Sequence, residues 1–356
     1  MVPDPFSKPL LPFYGHHYTT SMHWFTLSLL SAGFLGFYEI AKKVSVRDNA
    51  VPPVLYFNVL TSALIWLPFV ILSRTGSQSI PYEMLKVDAL SWTMHGQLFL
   101  KAIIAGTSWI FASFALKHLP MSIAAPIRAS SPLWTILIAT AVMHERPSPM
   151  QWLGVAIILI SFWAFSLVGR REGIHFHRDR WVGFMLLATL LGAFSALYDK
   201  FLLQNKDMRP STVQAWFSIY LVVFMTPLMI HWVLRRRKLE RFQWRWAIPM
   251  IAILLLISDF LYFSAIADKD LIANKDSMIS LISPLRRTSV IIAFVAGILM
   301  YQEKNWRAKS VCIATLLFGV YVLSLSPSPS RTTPADASIV PSSVLHKLET
   351  RSLERK

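Results

Sequence analysis

The chain has 356 residues, 54% of them hydrophobic and only 15% charged, with a mean hydropathy of +0.48 and a formal net charge of +16. Soluble domains carry about 25% charged residues, so this composition excludes an ordinary soluble globular protein and selects an integral membrane protein. One cysteine, Cys312, lies in an apolar run, which excludes an intramolecular disulfide, a CxxC motif and a cysteine-based zinc site.

Residues 1–23 are polar and rich in Pro and His, without the apolar core and cleavage site of a signal peptide. Met22, just before the first apolar run, is an alternative start. A hydrocarbon core needs about 20 predominantly apolar residues per helix, and ten such runs follow. The first five cover roughly 24–41, 52–73, 98–119, 121–143 and 150–169. The second five cover roughly 182–203, 212–234, 246–267, 277–301 and 308–326. Short gaps hold the breakers, among them DNAVPP, HLPM, ERPSP, KDMRPS, DKDLIANKD and QEKNWRAKS. If the short first run is not a span, the count falls to nine. From PSPSRTTPADAS onward the composition is that of a disordered tail.

The basic excess sits in the loops, so it orients the chain in a membrane and does not call for nucleic acid. Loops 1–2, 3–4, 5–6, 7–8 and 9–10 carry about seventeen Lys and Arg, dominated by RREGIHFHRDR and RRRKLERFQWR; the alternate loops carry eight or nine. The positive-inside rule then places both termini outside the cytoplasm. Thirteen Trp and 23 Phe suit a protein with two membrane–water interfaces. His175 and His177 have metal-like spacing in a loop but lack a third ligand, so no metal or cofactor is expected.

An internal repeat organises the chain. Residues 121–168 align without a gap on 279–326, setting PIRASS on PLRRTS and MHER on YQEK. Nine of the 48 positions are identical, including Pro126/Pro284, Arg128/Arg286, Ser131/Ser289 and Glu145/Glu303. AGFLGFYE (32–39) matches GAFSALYD (192–199), which pairs Tyr38-Glu39 with Tyr198-Asp199. More weakly, FALK (114–117) matches SAIA (264–267). Two copies of a five-helix unit follow, and five being odd, the second enters the membrane inverted. The expected fold is an all-α integral membrane protein of about ten transmembrane helices. It divides into an extension 1–23, a first repeat 24–170, a basic linker 171–181, a second repeat 182–327 and a tail 328–356.

With a Pro near the start of each fourth helix, a Glu145-Arg146 or Glu303-Lys304 pair at its end and a fifth helix directly after, both halves resemble the EamA-type repeat of the drug/metabolite transporter superfamily. The resemblance covers about 24–327. It implies a ten-helix fold with a central cavity, exporting or exchanging small metabolites, with many members keeping both termini cytoplasmic. LLSAGFLGFYEIAKK lacks the Trp-Gly dipeptide often seen in the first helix, and an Arg in both fourth-helix equivalents is not a general family feature.

The charges inside the runs are the candidate site. Arg128 and Arg286 occupy matching places in inverted copies and are candidate anion anchors, Arg suiting a carboxylate or phosphate through its bidentate fork. The competing reading makes each a structural lock on a neighbouring acid. Arg287 is read as a local partner. Asp259, isolated in LLLISDFLYFSA, is the candidate proton carrier or, alternatively, a fixed partner of Arg286 or Arg287. Its counterpart in the first half falls near Trp109, which with Ser108 and Thr107 offers a stacking wall and hydroxyls. Glu39 and Asp199 lie beside Lys42-Lys43 and Lys200; pairing along the helix explains Glu39, yet the repeated Tyr-acid pair makes Tyr38, Tyr198, Glu39 and Asp199 site candidates. Glu145 and Glu303 are read as turn contacts.

The expected function is a multi-pass secondary transporter, an exporter or exchanger of a small anionic or zwitterionic metabolite, in the plasma (inner) membrane as a monomer or homodimer. A sugar-phosphate or nucleotide-sugar exchanger is the alternative within transport. The alternative outside it, a membrane enzyme acting on lipids, lacks a DDxxD-like cluster, a Ser/His/Asp set and a metal set.

Overall fold

The computed structural model of the protein describes residues 23–75, 83–143, 148–170, 178–266, 285–301 and 305–325. The expectations for Met22, Glu145, His175, His177, Glu303 and the tail lie outside these residues. The described residues are helical, without a strand: α1 His23–Val46, α2 Val51–Thr75, α3 Trp92–His118, α4 Met121–Ala129, α5 Ser131–Met143, α6 Pro149–Arg170, α7 Arg180–Lys200, α8 Pro210–His231, α9 Ala247–Ile266, α10 Ser289–Tyr301 and α11 Trp306–Ser324. Short π turns, Phe201–Asn205 and Trp232–Arg236, prolong α7 and α8. Among the described helices six are long and apolar enough to cross a membrane: α2, α3, α6, α7 and α8 with their π turns, and α9. The protein is a multi-pass membrane protein.

Helix boundaries follow local chemistry. Asp179 caps α7 by accepting from the Trp181 N–H at 2.7 Å. Pro210 opens α8 at a position where its missing N–H is harmless. The expected run 121–143 is not one continuous helix. It breaks at Ser130, whose hydroxyl donates back to the Ile127 carbonyl at 2.6 Å. Such back-bonding competes with the helical ladder and bends it, and Pro126 and Pro132 each remove a backbone donor nearby.

The same break recurs 158 residues later. One helical turn at 285–287 stops at Thr288, whose hydroxyl donates to the Leu285 carbonyl at 2.7 Å. The backbone copies the pattern too. Ser130 N–H bonds Ile127 at 3.3 Å and Leu133 N–H bonds Ser130 at 2.9 Å; Thr288 N–H bonds Leu285 at 3.1 Å and Ile291 N–H bonds Thr288 at 3.0 Å.

The helices pack mainly across the two sequence halves. α1 lies on α9, α3 on α7, α2 on α8 and α6 on α11. Small residues permit the close approaches. A Cβ on Gly36 of α1 would stand 2.6 Å from the Ile292 side chain of α10, and one on Gly319 of α11 would stand 3.1 Å from the Ile158 backbone of α6. Between α1 and α9 a reciprocal serine clasp adds direction. Ser31 donates to the Ser258 carbonyl at 2.8 Å, and Ser258 donates to the Ser31 carbonyl at 2.9 Å.

Candidate functional site

Three buried ion pairs meet where α1, α3, α4, α7 and α9 converge. Arg128, two residues before the α4 break, pairs with Glu39 of α1. Arg286, two residues before the break at Thr288, pairs with Asp259 of α9. Lys101 of α3 pairs with Asp199 of α7. Their side chains are between 2% and 26% exposed, so every charge here has lost most of its water and needs a partner to persist. Aromatic faces supply additional support. The Lys101 ammonium stands 4.4 Å from the Phe217 ring centre and 5.1 Å from that of Phe263, and the Arg286 guanidinium 4.1 Å from Tyr262.

The helix-local expectation for Glu39 is corrected, and Asp199 behaves in the same way. Glu39 is not held by Lys42 or Lys43: Lys42 donates to the Tyr38 hydroxyl at 3.3 Å, while Lys43 donates to the Leu116 and Leu119 carbonyls at the end of α3. Asp199 is not held by its neighbour Lys200. In both cases the acid faces the helix packed opposite, and the packing decides the partner. The two halves also differ: Glu39 takes the Arg of the fourth-helix unit, whereas its repeat counterpart Asp199 takes Lys101 and leaves Arg286 to Asp259.

These pairs wall a cavity of about 140 Å³. Tyr38, Ser108, Trp109, Arg128, Asp199, Asp259 and Arg286, all candidates from the sequence, line it; Glu39 lines a small annex behind Arg128. Small side chains of α3 and α7, Ala105, Ser108, Ala188, Thr189, Gly192 and Ser195, leave the space open. Ser108 is also committed to packing, donating to the Ala188 carbonyl at 2.7 Å. Tyr198, also a candidate, is absent from the lining, and its hydroxyl donates to the Gln97 carbonyl at 3.3 Å. Thr107, likewise off the lining, donates to the Ile103 carbonyl of its own helix.

Arg287 is the fourth cation on the wall. It donates to Ser131 Oγ at 3.0 Å, joining the second break to the start of α5. Among the described residues no carboxylate pairs with it, and its Nε is buried without a hydrogen-bond partner. Four cations therefore meet three acids around the cavity.

Comparisons with known proteins bear on the class of the chain. Residues 22–167 match the model of the EamA-like transporter family. Over that stretch the chain is similar to an EamA-like transporter unit. The resemblance read from the repeat motifs, to the drug/metabolite transporter superfamily, stands on this match. Solute carrier family 35 member E4 of Rattus norvegicus is 24% identical over 156 residues, 44% of this chain and 40% of that protein. The probable 4-amino-4-deoxy-L-arabinose-phosphoundecaprenol flippase subunit ArnE of Salmonella typhimurium (strain LT2) is 36% identical over 62 residues, 17% of this chain and 56% of that protein. The matches thus span about half the length of these relatives. One crystal structure shares the fold, with a TM-score of 0.54 at 14% identity, covering 87% of this chain and 99% of its own.

The stretch similar to that family contributes Glu39, Lys101 and Arg128 to the site, and Lys101 was not foreseen. A lone Lys in LFLKAIIAG is as costly as Arg128 in an apolar helix. Placing the third run at 98 put Lys101 near a helix end, where a Lys reaches the interface. The helix begins at Trp92, which sets Lys101 more than two turns inside, and it is 2% exposed.

Proposed function

We propose that the protein is a ten-helix secondary transporter, two inverted five-helix units at 24–170 and 182–327 joined by a basic linker, that exports or exchanges a small anionic or zwitterionic metabolite by alternating access. In this reading α4 and α5 form the fourth span of the first unit, and the turn at 285–287 with α10 forms the fourth span of the second. Two features support the repeat. The helix break and its hydrogen bonds recur at the 158-residue offset. The packing also survives an exchange of halves: α1 on α9 becomes α7 on α3, while α2 on α8 and α6 on α11 map onto themselves. Inverted-repeat transporters place their substrate between the halves near interrupted helices.

The observation that carries the reading is the cavity itself. It lies between residues of both halves, is lined by charges too costly to bury for packing alone, and, among the described residues, holds one cation more than its acids. Asp259 is assigned to proton coupling, released from Arg286 in one stage of the cycle. Both termini are placed outside, from the basic loops. Purified protein in liposomes tests the function: uptake of a radiolabelled organic anion, without chemical change, driven by a solute or proton gradient is expected. Chemical conversion without flux would instead make it a membrane enzyme.

A further inference from the structure

The sequence singles out Arg128 and Arg286 as the anion anchors, but both are neutralised by acids that touch them. Lys101 is neutralised by Asp199 and rests on two aromatic rings. What remains for a ligand is Arg287. It borders both the main cavity and the annex, makes one hydrogen bond to Ser131 Oγ and, among the described residues, has no carboxylate partner; its Nε, like that of Arg286, is buried without a hydrogen-bond partner. Arg286 and Arg128 repel it and Glu39, already committed to Arg128, attracts it. A half-buried guanidinium that shares a cavity wall with Arg128 and Arg286, and has no acid of its own among the described residues, keeps donors open to an anion.

Charge and size then restrict the ligand. Among the described cations that line the cavity, only Arg287 has no acid, and it balances one negative charge. A second negative charge would have to draw Arg128, Arg286 or Lys101 from its acid and strand that acid with most of its surface buried. The cavity of about 140 Å³ is close to the ~150 Å³ of an apolar cavity that accepts benzene. Its apolar surface combines Trp109 and Phe217, set edge to face at 5.9 Å with Phe217 also under the Lys101 ammonium, and the small residues of α3 and α7. We infer that the cavity binds a singly charged organic anion with a ring-sized apolar body, and that Arg287, not Arg128 or Arg286, holds its negative group. This rests on the transporter reading for its biological sense, but the binding stands on the geometry.

Binding isotherms on the purified full chain in nanodiscs test it, with benzoate, phenyl phosphate at pH 8, acetate and benzyl alcohol as probes. Benzoate is expected to bind at least tenfold more tightly than each of the other three. Arg287→Gln should weaken benzoate at least tenfold, and Arg287→Lys should fall between it and the unaltered protein. The ligand-free melting temperature of Arg287→Gln should be equal to or above that of the unaltered protein, because no acid loses a partner. Phenyl phosphate binding more tightly than benzoate, acetate binding as tightly as benzoate, or Arg287→Gln binding benzoate normally would each overturn the inference. A protein that binds benzoate through Arg287 yet moves no solute in liposomes would sink the transporter reading alone. One that moves solutes while binding no monoanion would sink this inference alone.

Discussion

Arg128→Gln separates a charge held for structure from one held for a ligand. The substitution removes the partner of Glu39, whose carboxylate side chain is 11% exposed, and leaves that acid buried beside Leu35 and α4. Removing one member of a buried pair costs about 3–5 kcal/mol. At ~2 °C per kcal/mol, the low end for long chains, the apparent melting temperature should fall by roughly 6–10 °C. Adding Glu39→Gln should restore most of that loss, since two neutral amides in the same place strand no charge. Arg287→Gln, with no acid to strand among the described residues, should not fall at all. Tryptophan-fluorescence melts in detergent, at one scan rate and matched concentration, read all four proteins. An Arg128→Gln melt unchanged from the unaltered protein, or a double variant no better than the single, would refute the reasoning that the pair is a buried lock.

The Lys101–Asp199 pair should behave in the same way: Lys101→Met and Asp199→Asn should each lower folded yield, and together should recover it, measured by fluorescence-detected size exclusion. Asp259→Asn should abolish proton-driven accumulation while leaving part of the solute exchange, measured in liposomes; normal accumulation would make Asp259 a structural partner of Arg286 only. Ser31→Cys with Ser258→Cys, in a Cys312→Ser background, should cross-link α1 to α9 on mild oxidation, because the two hydroxyls lie 3.1 Å apart. Gly319→Leu should reduce folded yield, since its side chain meets the Ile158 backbone, which cannot move aside as a flexible side chain would.

Much of the helix layout was legible because a membrane span announces itself by length and apolarity. The expected 52–73 and 150–169 became α2 and α6 within three residues at each end. The alternative reading of Asp259 as a partner of Arg286 was legible too, as both stood alone in neighbouring apolar runs. Partners on other helices were harder. Helical periodicity ranks only neighbours three or four residues away, so it offered Lys42 and Lys43 to Glu39 and could not offer Arg128, 89 positions on. The break at Ser130 was hidden by the apolar continuity of 121–143, although Pro126, Ser130 and Pro132 together carry its cause. Arg287 was read as a local partner because it adjoins Arg286; only the pairing of the other three cations shows it to be the one in excess.

Alternating exposure of the cavity is the central claim, and a cysteine in its wall tests it without a known substrate. Ser195 lines the cavity and is 8% exposed. In a Cys312→Ser background, Ser195→Cys should react with sulfonatoethyl methanethiosulfonate, a small membrane-impermeant anion, added to intact cells and, separately, to inverted membrane vesicles. Reaction from both sides is the predicted result; reaction from one side only, or from neither, would contradict the account.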